Sequence, residues 1–185
     1  MRKFAKLGFA MLVLSIAFAA TTKDKLYRLE SGRIHFFSKA PLENIEAESK
    51  VFAAVLNPKN RNFVFSVAIN TFKFDKPLMQ EHFNENYMES DKYPKGKFIG
   101  KINETVDLLK DSTYKVTVTG KLDLHGVEKD RTMDATVTVK NGKMDLSSKF
   151  TVKLEDHNIE IPSMVIQNIA EVIDVDIEAT LKYDE

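Results

Sequence analysis

The chain has no cysteine and no tryptophan in 185 residues, and few glycines or prolines, seven and five. Without cysteine there is no disulfide framework and no thiol nucleophile. A lipid anchor through an N-terminal cysteine is excluded as well, so the fold must rest on packing alone. Charge of one sign is also lacking, since 27 Lys and Arg balance 27 Asp and Glu. Scattered, balanced charge gives no footprint for nucleic acid and no polybasic segment for anionic lipid. Beyond the first twenty residues there is no long apolar run, so no spanning helix is expected in the mature chain.

What is present begins with those first residues. Arg2, Lys3 and Lys6 form a basic start, Leu7 to Phe18 runs apolar, and Ala17-Phe18-Ala19 places small residues before a cleavage point at Ala20. This is the layout of a secretory signal peptide, 1–19, too short in its apolar part to span a bilayer. Its removal takes three basic residues and leaves 24 basic against 27 acidic, a net −3. The remainder, 20–185, is the length of one ordinary domain. An export signal with no cysteine leans towards a bacterial periplasmic or secreted location.

Period-2 alternation dominates the rest. Phe63, Phe65, Val67 and Ile69 share one face. So do Tyr114, Val116, Val118, Gly120, Leu122 and Leu124, and likewise Met133, Ala135, Val137 and Val139. Met144 to Leu154 and Ile173 to Tyr183 repeat the pattern. Each predicts a strand with one apolar and one wet face. Further strands are expected at Gly32 to Ala40, at 43–55 and at Lys97 to Thr105. Asn141-Gly142 reads as a type I′ hairpin turn, His125-Gly126 as another tight turn, and Asn57-Pro58-Lys59-Asn60 as a third. Pro77 to Met88 predicts a short helix with Met79, Phe83 and Tyr87 at helical spacing, and Pro162 to Ile169 predicts a second. About eight long, hairpin-connected strands favour an all-β fold in which an antiparallel barrel closes to hide its edges. Such a barrel fills its interior with side chains or holds one ligand.

Catalytic signatures are missing. There is no GxGxxG, GxxxxGK[ST] or GxSxG, and His35, His82, His125 and His157 form no HxxxH or HExxH pair. Glu81 and His82 are adjacent on a helix and point about 100° apart, so they are poorly placed to act together. No metal and no cofactor is expected. Asn103-Glu104-Thr105 matches an N-glycosylation acceptor, which has meaning only in a eukaryotic secretory pathway.

Four local patterns resemble the YceI-like family, exported lipocalin-like barrels associated with polyisoprenoid lipids. They are Gly32-Arg33-Ile34-His35-Phe36 with Ser38 to Glu43, and Phe72 to Phe98 with Leu78 to Phe83, Tyr87-Met88-Glu89 and Tyr93-Pro94. Gly120 to Val127 is the third, and Phe150-Thr151-Val152 leading to Ile159 and Pro162 is the fourth. Together they span about residues 25–183. The stretch Lys39 to Ile45 departs from the family pattern at what would be the cavity mouth. The resemblance implies an eight-stranded antiparallel barrel, lipocalin-like, with an elongated apolar cavity for an isoprenoid chain.

The residues expected to line such a cavity are Phe36, Phe65, Val67, Phe72, Met79, Phe83, Phe98, Val116, Val118, Phe150, Val152 and Ile177, with His82 reaching a head group. Thirteen phenylalanines and seven methionines suit a floppy apolar ligand, methionine being an adaptable lining. The reading is therefore a periplasmic carrier, not an enzyme, for a quinone or polyprenyl phosphate or another long-chain amphiphile. Two alternatives stay open: a filled barrel with a structural or stress-related interaction role, and an enzyme using His82 or His125. A homodimer is left open.

Overall fold

A computed structural model describes residues 24–163 and 167–184. The signal sequence read at 1–19 lies outside the described residues, as does the middle of the second predicted helix, 164–166. After that gap Gln167 and Asn168 form a turn.

The strands are β1 (Tyr27–Lys39), β2 (Asn44–Ser49), β3 (Phe52–Leu56), β4 (Asn62–Ala68), β5 (Lys73–Phe74), β6 (Lys95–Ile102), β7 (Ser112–Leu124), β8 (Val127–Lys140), β9 (Lys143–Lys153) and β10 (Val172–Tyr183). Among the described residues one α-helix, α1 (Pro77–His82), follows β5 and runs on into a π-helical turn at Phe83–Tyr87. All pairings are antiparallel. Neighbours run β10-β9-β8-β7-β6-β4-β3-β1, and β10 pairs back onto β1 to close the ring. The remaining two strands are continuations. β2 pairs with the later half of β1 where β3 pairs with its start, and β5 pairs with β2. With β2–β3 and β4–β5 each counted as one kinked strand, the molecule is a closed eight-stranded antiparallel barrel.

The kinks have a local cause. In β2 the inward residues are Ala47 and Ser49, whereas in β3 they are Ala54 and Leu56, so Lys50 and Val51 insert an extra step. Its neighbour does the same: Phe63, Phe65, Val67 and Ile69 point in, then Phe72, across a 3₁₀ turn at Ile69–Thr71. The two bends are tied together. The Val51 amide donates to Ser49 Oγ at 3.1 Å, the Ser49 and Thr71 hydroxyls meet at 2.7 Å, and Thr71 Oγ1 donates to the Ala68 carbonyl at 2.6 Å. A one-residue slip exchanges the faces of a strand, so matched slips on neighbouring strands keep both apolar rows inside. The alternation predicts one strand over 43–55, because a break without glycine or proline leaves no mark in the pattern.

The predicted turns are in place. Asn141 and Gly142 have φ of 52° and 73°, and His125 and Gly126 have φ of 52° and 73°, the type I′ geometry of tight hairpins. At Asn57 the side-chain Oδ1 accepts the Lys59 amide at 2.9 Å, an Asx turn.

Burial is uneven along the barrel axis. At one end Tyr27, Leu56, Ile102, Leu108, Val137, Met144 and Leu181 are all fully buried. The loop from 103 to 111 crosses this end, and Leu108 plugs it while its carbonyl accepts the Tyr27 hydroxyl at 2.9 Å. The other end holds a cavity.

Candidate functional site: an apolar cavity under a helix

The cavity has a volume of about 440 Å³, within the range that takes a small organic ligand. Its wall is the set of inward side chains from the open half of every long strand. β4 contributes Phe63, Phe65 and Val67, β7 contributes Val118, Leu122 and Leu124, and β9 contributes Leu146, Phe150 and Val152. Period-2 alternation produces this wall directly, since residues i and i+2 of a strand share a face.

One side is covered by α1 and its π turn. Pro77 occupies the first turn of the helix, where its missing N–H costs nothing. The turn closes by a Met88 amide donating to the Phe83 carbonyl at 2.9 Å, five residues back. That wider turn lets Met79, His82, Phe83, Tyr87 and Met88 all face the cavity. The helix is held by ring contacts. Phe83 lies 5.5 Å from Phe36, 5.8 Å from Phe72 and 5.0 Å from Phe74, centroid to centroid. Aromatic pairs at such separations add roughly 0.5–1.5 kcal/mol each beyond area burial. Lys76 at the helix start donates to Glu43 Oε1 at 2.7 Å, and the Leu42 amide donates to the Gln167 carbonyl at 3.0 Å. α1, the 40–43 loop and the 167–170 segment therefore meet at the mouth, where Glu43, His82 and Asn168 supply polar atoms.

Of the residues expected to line a cavity, Phe36, Phe65, Val67, Phe98, Val118, Phe150, Val152 and Ile177 stand on the strand wall. Phe72 joins them from the end of the 3₁₀ turn. Met79, His82 and Phe83 stand on the helical side. His82 is exposed, at the rim. Val116 is different: it is buried in the packed part of the core and is not on the wall. Alternation gives the face of a strand but not the depth at which a cavity stops, so nothing in the pattern separates Val116 from Val118. Leu154, Ile159 and Ile169, which the expected lining omits, reach the cavity from outside the strands.

Beside the mouth lies a polar cluster that is not on the wall. His125 Nδ1 is 3.1 Å from the His157 carbonyl, and its Nε2 is 3.0 Å from Glu89 Oε2. Tyr93 packs edge-on against the His125 ring, centroids 4.4 Å apart. His157 is fully buried and its Nδ1 donates to the Val127 carbonyl at 3.1 Å. Burial holds its pKa below the ordinary value, and the nearby Arg131 guanidinium adds to this, while the Val127 hydrogen bond and Asp156 act in the opposite sense. Arg131 Nη2 in turn donates to Asp156 Oδ2 at 2.9 Å. The cluster pins the end of the helical segment (Glu89), the β7–β8 turn (His125) and a 3₁₀ turn at Leu154–His157 to one another. Among the described residues no group of three His, Asp or Glu side chains could hold a metal ion.

The family model of the YceI-like domain matches residues 28–181. No curated protein sequence is detectably similar. Among solved structures, a polyisoprenoid binding domain from Saccharophagus degradans, implicated in plant cell wall breakdown, superposes with a TM-score of 0.73 at 15% identity. That match covers 85% of this chain and 98% of the other. BcnA of Burkholderia cenocepacia gives a TM-score of 0.68 at 16% identity, covering 80% and 95%. A YceI protein of Campylobacter jejuni gives 0.58 at 17% identity, covering 100% of both chains.

Proposed function

Because the chain belongs to the YceI-like family, we propose that it is an exported, non-catalytic carrier that holds the tail of an isoprenoid lipid inside its barrel. The observation that carries this reading is the cavity: about 440 Å³, walled by aliphatic and aromatic side chains, with polar atoms gathered at the mouth. An apolar chain moved from water into such a wall gains roughly 0.8 kcal/mol per CH₂ in gross terms. Part of this is lost to ordering the chain. Affinity then comes from the tail, and Glu43, His82 and Asn168 contact the head. That the Saccharophagus degradans neighbour is a polyisoprenoid binding domain supports the same ligand class.

A filled barrel with a purely structural role fits less well, since only one end of the interior is packed. Catalysis at His125 fits less well too, because its ring nitrogens are engaged by Glu89 and the His157 carbonyl and it does not reach the cavity. The test is reconstitution. Delipidated protein is incubated with a ubiquinone or an undecaprenyl phosphate and separated by gel filtration, and the lipid is then quantified in the protein fraction. About one lipid per barrel is expected. Absence of both lipids from the protein fraction contradicts the proposal.

A further inference from the structure

The mouth of the cavity carries two apolar side chains that the cavity does not use. Leu42, in the 40–43 loop, is 67% exposed, and Leu78, in the first turn of α1, is 60% exposed. Neither is on the wall, yet the next residue along the chain from each, Glu43 and Met79, is. The two leucines stand on the two segments that the Lys76–Glu43 ion pair joins at 2.7 Å. Pro41 and Pro77 are exposed beside them. The Leu42 amide donates to the Gln167 carbonyl at 3.0 Å, so the backbone of the loop is anchored while its leucine side chain faces water. Charge around the two is balanced. Exposed Lys39 and Lys73 stand against exposed Asp75 and Glu81, and Lys76 and Glu43 neutralise each other. A single exposed leucine is ordinary on any protein; two at the rim of an apolar cavity are not scattered at random.

We infer that this rim is a docking surface for a lipid bilayer, into which Leu42 and Leu78 dip while cargo passes between membrane and cavity. The inference rests on the lipid-carrier reading and names the partner that supplies the cargo. Each methylene lowers the concentration of a free lipid in water about fourfold. A tail of tens of carbons is therefore practically absent from solution and has to be taken from a bilayer. The size of the patch points the same way. Two leucines and the neighbouring prolines offer on the order of 300 Å², against about 800 Å² per partner in a standard protein interface. That is too little to hold a second copy of the chain, and enough for brief insertion into hydrocarbon. The balanced charge gives anionic head groups no special hold, so the contact is made by apolar insertion.

The experiment separates uptake from loading. Phosphatidylcholine vesicles carrying ubiquinone or undecaprenyl phosphate are mixed with delipidated protein, the vesicles are spun out at timed intervals, and lipid in the supernatant is measured. The uptake rate is expected to rise in proportion to vesicle concentration, the mark of transfer by contact, and to be unchanged by phosphatidylglycerol in the vesicles. Leu42→Ser combined with Leu78→Ser is expected to slow uptake at least about tenfold. Final occupancy from detergent stays that of the unmodified protein, since neither side chain lines the cavity. Ile99→Ser, which removes an equally exposed side chain from the outer face of β6, keeps the full rate. A rate independent of vesicle concentration overturns the inference, as does one that depends on phosphatidylglycerol, an unaltered rate in the double variant, or an equal loss in Ile99→Ser. A dimer in gel filtration that the double variant dissolves assigns the two leucines to a second copy, and overturns it as well. Failure of both lipids to load from detergent removes the carrier reading itself; normal loading with uptake that ignores vesicle concentration removes only this inference.

Discussion

Phe150 stands half-buried on the inner face of β9, with Asp176's strand neighbour Val175 directly across the ladder and the cavity in front of it. A charge placed there faces apolar side chains with no partner, and would either stay buried at a cost of several kcal/mol or draw water into the space the tail needs. Phe150→Asp and Phe65→Asp are expected to lower lipid occupancy at least a hundredfold. Phe150→Asp keeps its strand pairing, as circular dichroism would verify; full loading in that folded variant would remove the wall from the binding account. His157 gives a different kind of prediction. Its pKa is held down in the fold, mainly by burial, so the unfolded chain takes up a proton more readily. The stability due to its neutral form is complete above about pH 6.5, the free histidine value, and is lost as pH falls towards the depressed folded value. The melting temperature should drop more steeply below pH 6.5 in the unmodified protein than in His157→Gln, and parallel curves would show that this site is not the cause.

At the scale of elements, the hairpins and the helix make separable claims. Gly142 has φ of 73° and a Cβ there would touch nothing within 4 Å. Gly142→Ala therefore isolates the backbone cost of the turn, about 1 kcal/mol, or a melting-point loss of roughly 2–4 °C for a domain of this size. α1 is held mainly through Phe83 and its three ring neighbours. Phe83→Ala should speed amide exchange over 77–88 while the barrel strands keep their protection, the signature of local opening. The same elements show what a sequence exposes. Asn141-Gly142 and His125-Gly126 announce their turns because φ > 0 favours those residues, and the inward rows of β7, β8, β9 and β10 follow from alternation alone. The parity slips at Lys50–Val51 and at Ile69–Thr71 were not legible, because the Ser49–Thr71 hydrogen bond that supports them joins residues 22 apart. β1 begins at Tyr27, earlier than the predicted Gly32, because an irregularity between Leu29 and Ser31 breaks the alternation. The cavity wall was legible as a set of faces. Its depth was not, since alternation gives the face of a strand and not the position at which the lining stops, as between Val118 and Val116.

On the scale of the molecule, the barrel divides into a packed half and an open half that holds the cavity. Closure by β10 on β1 makes the sheet a ring, with the short β5 paired on one side, to β2. An apolar space of this size kept open in water has a ready use as a ligand site, and the polar mouth under α1 gives the head of an amphiphile a place to stay wet. The account therefore stands or falls on whether a lipid is carried in the host. The most direct measurement is native mass spectrometry of the protein purified from its host, followed by solvent extraction of whatever it holds. The account predicts an intact mass lacking residues 1–19 with about one bound molecule that extracts as an isoprenoid lipid. A bare protein mass that persists after incubation with quinones and polyprenyl phosphates would contradict it.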